Sequence, residues 1–292
     1  MESYKKKGAH RKMGVYRKYT NRALKRYKSG EIIYKTQLGE FAQQSVSALH
    51  VGCGHDLAGV SSFFYESGLV GIDLDAEAIQ SYPRAAWLGD AGKLPFADGS
   101  FDLVFSEYVL EHLTDPDVVF QEISRVLTPS GVFLSLAPNY YSYKSLAAKI
   151  TPHSVHRLAV KLLRPGSRDS SDVYPTVFKA NTPSVLSALA GQSGLEIEAL
   201  IYANNGPTWF QRIPILFEMG QLFHSALDLR ALSLLRCNII VILRKPGIPV
   251  LPDLQIRCIK CFSSPMADDA SCYTCPVCHC VYKKSGNVVK TQ

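Results

Sequence analysis

Two groups of residues in this chain have the types and spacing to do chemistry. The first is a set of cysteines: six of the eight lie between Cys258 and Cys280. Cys258 and Cys261 form one C-x2-C pair and Cys275 and Cys278 a second, with thirteen residues between the pairs. Two short turns that each offer two thiolates make the tetrahedral sulfur donor set that zinc prefers. Four protein ligands leave no open position, so the metal at Cys258, Cys261, Cys275 and Cys278 is expected to be structural. Cys272 with Cys275 is a competing register, and Cys278, His279 and Cys280 crowd together. Pro276 inside the second pair suits a tight knuckle and favours the first register. The second group is a glycine turn followed by spaced acids. An apolar run ends in Val51-Gly52-Cys53-Gly54, and Asp73 closes Val70-Gly71-Ile72-Asp73. A glycine turn after one strand and an acid at the end of the next is how a doubly wound sheet binds an adenosine-type nucleoside.

Further elements follow in order: Gly89-Asp90-Ala91, then Leu94-Pro95-Phe96-Ala97-Asp98-Gly99-Ser100-Phe101-Asp102-Leu103-Val104, then Ser106-Glu107-Tyr108-Val109-Leu110-Glu111-His112-Leu113, then Arg125-Val126-Leu127-Thr128-Pro129-Ser130-Gly131. In this order the stretch resembles the class I S-adenosylmethionine-dependent methyltransferases, and within them the type 11 group. The resemblance covers roughly ninety residues between Ala48 and Asn139. It implies an α/β fold, a Rossmann-like seven-stranded sheet, and methyl transfer from S-adenosylmethionine. By the same resemblance, the turn Gly52-Cys53-Gly54 holds the methionine part and Asp73 accepts the ribose hydroxyls. Asp90 and Ala91 sit at the adenine edge, Leu74 and Leu94 cover the adenine faces, and Ser106 ends the fourth strand beside them. His50 completes the cofactor set, although the family usually carries an acid there. Asp56 stands where the family usually has a third glycine, and is expected to cap the helix that follows, since Asp is a preferred N-cap.

A hydroxyl acceptor needs a general base, an amine less so. The candidates are Glu107, His112 and Tyr140, the last in Pro138-Asn139-Tyr140-Tyr141 after the fifth strand. Glu111 either lines the substrate side or packs a short helix. Cys53 reads as a small buried packer and Asp102 as a structural acid at a strand start.

Composition bounds the rest. The chain has 292 residues, 47% hydrophobic and 20% charged, which suits one medium domain with a small one. There is no uncharged apolar run of about 18 residues, the length a transmembrane helix needs. The charged beginning lacks the apolar core of a secretory signal. These features read as a cytoplasmic protein. The net charge of +7 is uneven: residues 1–28 hold eleven Lys or Arg against Glu2 alone. Arg17, Lys18, Arg22, Lys25 and Arg26 interleave with Tyr16, Tyr19, Leu24 and Tyr27, the pattern of a basic helix with an aromatic stripe. Such a segment binds an anionic membrane surface or RNA through its charge, or packs as a solvated arm. A peripheral position at the inner face of a membrane follows from the first of these.

The boundaries read as 1–30 for the basic arm, 31–247 for the methyltransferase domain with a substrate or lid region at 140–236, and 248–292 for a zinc ribbon. The tail, from Leu254-Gln255-Ile256-Arg257 through Val281-Tyr282 to Val288-Val289, resembles the small zinc-ribbon activator of translation-machinery methyltransferases. Fewer than forty residues cannot bury a core large enough to fold alone, so a metal is expected to supply what packing lacks. In the middle region, residues 143–166 read as helical, a helix starts at Thr182, Gly194 to Tyr202 alternates like a strand, and Cys237 to Leu243 reads as a buried strand. The apolar stretch from Trp209 to Leu235 could cover an apolar pocket or lie on a membrane. His153 and His156 suit surface or phosphate contacts. The expected function is methyl transfer to a small-molecule, glycan or lipid-linked acceptor. The alternatives are an RNA methyltransferase that uses the basic arm and ribbon, and a non-catalytic binding protein.

Overall fold

The computed structural model describes residues 29–56, 58–64, 68–150, 175–205 and 214–291. The expectations for the basic arm, for His153 and His156 and for Trp209 lie outside these residues. The chain divides into two compact units. Unit one is Met1–Ile33, Asn139–Val173 and Tyr202–Asn238, and unit two is Tyr34–Pro138, Tyr174–Ile201 and Ile239–Gln292.

Unit two is built on strands β1 (Ser47–Val51), β2 (Gly68–Asp73), β3 (Ala85–Leu88), β4 (Phe101–Glu107), β5 (Leu127–Pro138), β6 (Glu196–Ala203) and β7 (Asn238–Arg244). Only the last residues of β6 and the first of β7 fall to unit one. The order across the sheet is β6-β7-β5-β4-β1-β2-β3. β1 pairs in parallel with both β2 and β4, with Val51 level with Ile72 on one side and Ser106 on the other. The order therefore reverses at β1, and the crevice outside the carboxyl ends of such strands is where these sheets bind ligands. The strands that flank the crevice are buried almost throughout, as expected of parallel strands covered on both faces. Helix α1 (Gly30–Ala42) contributes Tyr34 and Leu38, both fully buried, to this core. Helix α2 (Pro116–Val126) begins with Pro at its first turn, where a missing N–H costs nothing. It turns Val119, Phe120, Ile123 and Val126 inward.

The expected seven strands are present, but the sheet does not stop there. The tail forms β8 (Ala267–Asp268), β9 (Cys272–Thr274), β10 (Val281–Ser285) and β11 (Val288–Thr291). β11 pairs in parallel with β3, Val288 opposite Ala86 and Val289 opposite Trp87. The result is one eleven-stranded sheet, which the tail strands continue beyond β3. The physical reason is that β3 would otherwise be an edge strand with bare N–H and C=O groups.

Unit one, in its described residues, holds helix α3 (Tyr143–Ile150), helix α5 (Pro214–Leu227) and a 3-10 turn at Arg230–Leu235. Helix α4 (Pro183–Gln192) belongs to unit two, and Thr182 caps it by accepting the Val185 N–H at 3.3 Å. Asn139 is fully buried in unit one. Its Nδ2 donates to the Leu234 carbonyl at 2.7 Å and the Arg236 carbonyl at 2.9 Å. Tyr143 Oη lies 3.1 Å from Nε2 of His224, a buried residue whose pKa falls to about 4 through burial and then through Lys144.

Candidate functional site

A cavity of 250 Å³ opens at the carboxyl ends of β1, β2 and β4. Gly52, Asp73, Leu74, Asp90 and Ala91 line it, with Glu107, Val109 and His112 facing them. The sequence scatters these residues over sixty positions; the strand order gathers them at its switch point.

Local backbone chemistry explains the shape. Gly52 and Gly54 have φ of 69° and 44°, a region that strains side-chain-bearing residues. A Cβ on Gly52 would stand 2.3 Å from Val109 Cγ2, so the wall of the cavity is closed against a bare glycine. Asp73 holds this turn in place: Oδ2 accepts the Gly54 N–H at 2.8 Å and Oδ1 the Asp75 N–H at 2.9 Å. Asp90 Oδ1 accepts the Gly92 N–H at 2.8 Å and the side chain is exposed. Across the cavity, Tyr108 has φ of 56°. That unusual conformation for a bulky residue reverses the chain after β4, and such strain clusters at functional sites.

Other residues expected at the cofactor are not on the cavity wall. His50 is buried, stacked on Phe105 with centroids 4.5 Å apart, and its Nδ1 lies 3.2 Å from the Tyr82 hydroxyl. Burial pushes its pKa down to about 3, so it is a neutral core imidazole. Cys53 is buried, and its thiol pKa is raised, first by burial and then by Asp73. A Cβ on Gly71 would meet its Sγ at 2.6 Å. Leu94 is fully buried, and its N–H donates to Glu122 Oε2 at 2.7 Å. Ser106 gives its hydroxyl to Ser135 Oγ at 2.8 Å, while its carbonyl accepts the Tyr34 hydroxyl at 3.1 Å. His50 and Ser106 lie on β1 and β4, strands covered on both faces, while Cys53 and Leu94 are buried in the loops that follow β1 and β3. Asp56 does cap the turn after it, accepting the Val60 N–H at 2.9 Å. Asp102 is structural, accepting the Val46 N–H at 2.8 Å and the Ser47 N–H at 3.3 Å.

Of the three base candidates, Glu107 and His112 line the cavity. Tyr140 belongs to unit one, its ring edge-on to Tyr141. His112 Nδ1 lies 3.0 Å from the Pro175 carbonyl. A carbonyl can only accept, so Nδ1 carries the proton and Nε2 is the basic nitrogen. Glu111 precedes it on a 3-10 turn, with Oε1 4.0 Å from His112 Nε2 and Oε2 buried without a hydrogen-bond partner. Burial raises the Glu111 pKa to about 7. A buried carboxyl in that position has no sequence signal beyond its place in Leu110-Glu111-His112.

The tail brings Cys258, Cys261, Cys275 and Cys278 together, with all four sulfurs within 4.8 Å of one another. Cys272 and Cys280 stay outside this group. The Val277 and Cys278 N–H groups each approach Cys275 Sγ at 3.4 Å. Burial opposes a thiolate at Cys275, but these N–H groups and the Ser263 hydroxyl outweigh it and lower its pKa to about 5. Four convergent sulfurs with N–H donors aimed at them are a donor set for a tetrahedral thiophilic ion.

The sequence reading missed the tie between this cysteine knuckle and the cavity. Ala97 N donates to the Gln255 carbonyl at 2.8 Å and Arg257 N to the Pro95 carbonyl at 3.0 Å. Arg257 and Arg125 both reach Glu122. The tail thus grips β3 just before Gly89-Asp90-Ala91, and the Pro95–Ala97 loop just after it.

Residues 49–135 match the family model described as "Methyltransferase domain". A protein of Mycolicibacterium smegmatis named as a probable S-adenosylmethionine-dependent methyltransferase is 31% identical over 40% of this chain and 47% of its own length. A malonyl-[acyl-carrier protein] O-methyltransferase of Methylovorus is 28% identical over 46% of this chain and 50% of its own. The chain spans about half the length of these curated relatives. Among solved structures, an S-adenosylmethionine-dependent methyltransferase from Mesorhizobium loti matches with a TM-score of 0.43 at 18% identity, over 68% of this chain and 90% of that one. The stretch that builds the cavity is thus the part of the chain that matches a methyltransferase domain and is similar to S-adenosylmethionine-dependent methyltransferases.

Proposed function

We propose that this protein transfers the methyl group of S-adenosylmethionine to a small-molecule, glycan or lipid-linked acceptor. The observation that carries the reading is the common lining of one cavity by Gly52, Asp73, Leu74, Asp90, Ala91, Glu107 and His112. The cavity fits the nucleoside in its chemistry: a carboxylate at the end of β2, a second after β3, and a glycine cradle that a single Cβ would fill. Asp73 would hold the ribose, Asp90 and Ala91 the adenine edge, and the Gly52–Gly54 turn the amino-acid end. When bound, the cofactor supplies an electrophilic methyl on a sulfonium. The chain's own contribution is to hold the two reactants in line, which is where most of the acceleration in such a transfer originates.

For a hydroxyl acceptor, His112 Nε2 takes the proton, because the Pro175 carbonyl keeps Nδ1 protonated. Glu107 lines the same cavity and orients the acceptor. Zinc in the Cys258, Cys261, Cys275 and Cys278 site would be structural, closing the tail against β3.

The test is calorimetric titration of the metal-replete protein with S-adenosylmethionine beside the Asp73→Ala variant. Micromolar binding by the wild type, weakened about tenfold or more in the variant through loss of charged hydrogen bonds, supports the reading and justifies an acceptor screen. A folded wild-type protein that does not bind the cofactor rejects it.

A further inference from the structure

Helix α5 carries a row of large apolar side chains that face water. Ile215, Met219 and Leu222 follow one another at helical spacing and are 74%, 60% and 73% exposed. Phe223 widens the row at 46%, and Leu229, just past the helix, is 62% exposed. The opposite side of the same helix is already used: Phe217, His224 and Leu227 are buried. Glu218 is the only charged residue in the helix. Contiguous exposed apolar surface of this kind marks an interaction site.

The charge of the sequence segments grouped with this helix says what kind of partner fits. By sequence, the segments of unit one hold twenty Lys and Arg against six Asp and Glu, a net of +14, while those of unit two hold twelve against nineteen, a net of −7. Cations also stand close to the apolar row. Lys144 Nζ lies 5.9 Å from the Tyr143 ring, which is edge-on to Phe223 at 5.1 Å. Arg230 follows Leu229 and is exposed. Tyr141 and Leu146 are also exposed, on or beside α3.

We propose that unit one is a membrane-docking surface, in which the Ile215–Met219–Leu222–Phe223 face of α5 enters the headgroup region of an anionic phospholipid bilayer. An aliphatic row gains from acyl chains, and Lys144 and Arg230 beside it gain from anionic headgroups. RNA would satisfy the cations but would leave the aliphatic row without a partner. None of the helices in the described residues is long and apolar enough to cross a membrane, so the contact lies in the interface plane. The proposal goes beyond the catalytic reading and does not depend on it.

The test is co-sedimentation of the full chain with vesicles of phosphatidylcholine alone and with added phosphatidylglycerol, over a range of salt. The wild type is expected to pellet with the anionic vesicles and far less with the neutral ones. The Met219→Glu/Leu222→Glu double variant is expected to lose about tenfold or more in affinity, with an unchanged melting curve because both side chains face water. Ile215→Glu serves as a second, milder variant, with a smaller loss. A wild type that ignores anionic vesicles overturns the proposal, and so does one that shifts a single-stranded RNA oligomer instead. Variants that bind as tightly as the wild type overturn it too, since charge alone would then suffice. S-adenosylmethionine binding on the same preparations separates the two readings: cofactor bound without vesicle binding rejects the surface and leaves the cavity intact.

Discussion

Trp87 stacks on Tyr273 with ring centroids 5.5 Å apart and an interplanar angle of 26°. Trp87 lies on β3, the strand that leads to Asp90, and Tyr273 lies on β9, within the loop between the two cysteine pairs. Phe96 and Tyr282 close around the same indole, with centroids at 5.9 Å and 6.2 Å. The indole is therefore the packing link between the four-cysteine knuckle and the strand that leads to the cavity.

Stripping the metal with a strong chelator, or replacing Cys275 by Ser, is expected to loosen this packing. The chain has two tryptophans, so a Trp209→Phe background isolates Trp87. Its emission is expected to shift to longer wavelength as water reaches the ring, and the freed β3 edge is expected to promote aggregation. Emission that stays unchanged after complete metal removal would show that the tail is docked by packing alone.

Gly52→Ala places a Cβ 2.3 Å from Val109 Cγ2 at a φ of 69°. The left-handed conformation costs a side-chain-bearing residue roughly 1–2 kcal/mol, and Val109 must move within the cavity wall. Cofactor affinity is expected to drop about tenfold or more, with a modest fall in melting temperature. Calorimetry and a thermal melt on the same sample check both. Unaltered affinity would mean that the turn does not contact the ligand.

His50 is held neutral in the core, with a pKa near 3 against an ordinary 6.5. The unfolded chain binds the extra proton first. Stability from this group is complete above about 6.5 and is lost as pH falls toward 3, at about 1.4 kcal/mol per pH unit. In a His50→Gln variant the gap to the wild type is expected to narrow as pH falls from 6 to 4 in urea melts. A gap that does not vary with pH would remove the buried imidazole as the cause.

Glu111 has the opposite linkage. Burial raises its pKa to about 7 from 4.5, so the folded state binds the proton more tightly than the unfolded chain. Folding is unpenalised below 4.5 and loses stability as pH rises to about 7, on the order of 3 kcal/mol in all. Glu111→Gln is expected to match the wild type near pH 4.5 and to be more stable than it above pH 7. Equal stability at both ends would imply that the carboxyl finds a partner in solution.

Much of this protein is legible in its residues. Gly52, Gly54 and Asp73 announce a turn and an acid at strand ends, because glycine tolerates positive φ and a short carboxylate can hold the N–H groups of such a turn. Cys258, Cys261, Cys275 and Cys278 announce a four-sulfur site through spacing alone, and their register over Cys272 was favoured by Pro276. β6 and β7 are readable as alternating and continuous apolar runs. These are local properties, and local properties survive in one dimension. The direction of each side chain does not. His50, Cys53, Leu94 and Ser106 stand beside the motif in sequence and still turn into the core, since burial depends on what covers each face of the strand or loop that carries them. Glu111 and His112 are adjacent, yet one is buried and the other lines the cavity. The pairing of β11 with β3, and with it the stacking of Tyr273 on Trp87, depends on two segments about two hundred residues apart finding complementary edges. No periodicity in either segment names its partner, so only the folded chain decides that the cysteine knuckle braces the strand beside the cavity.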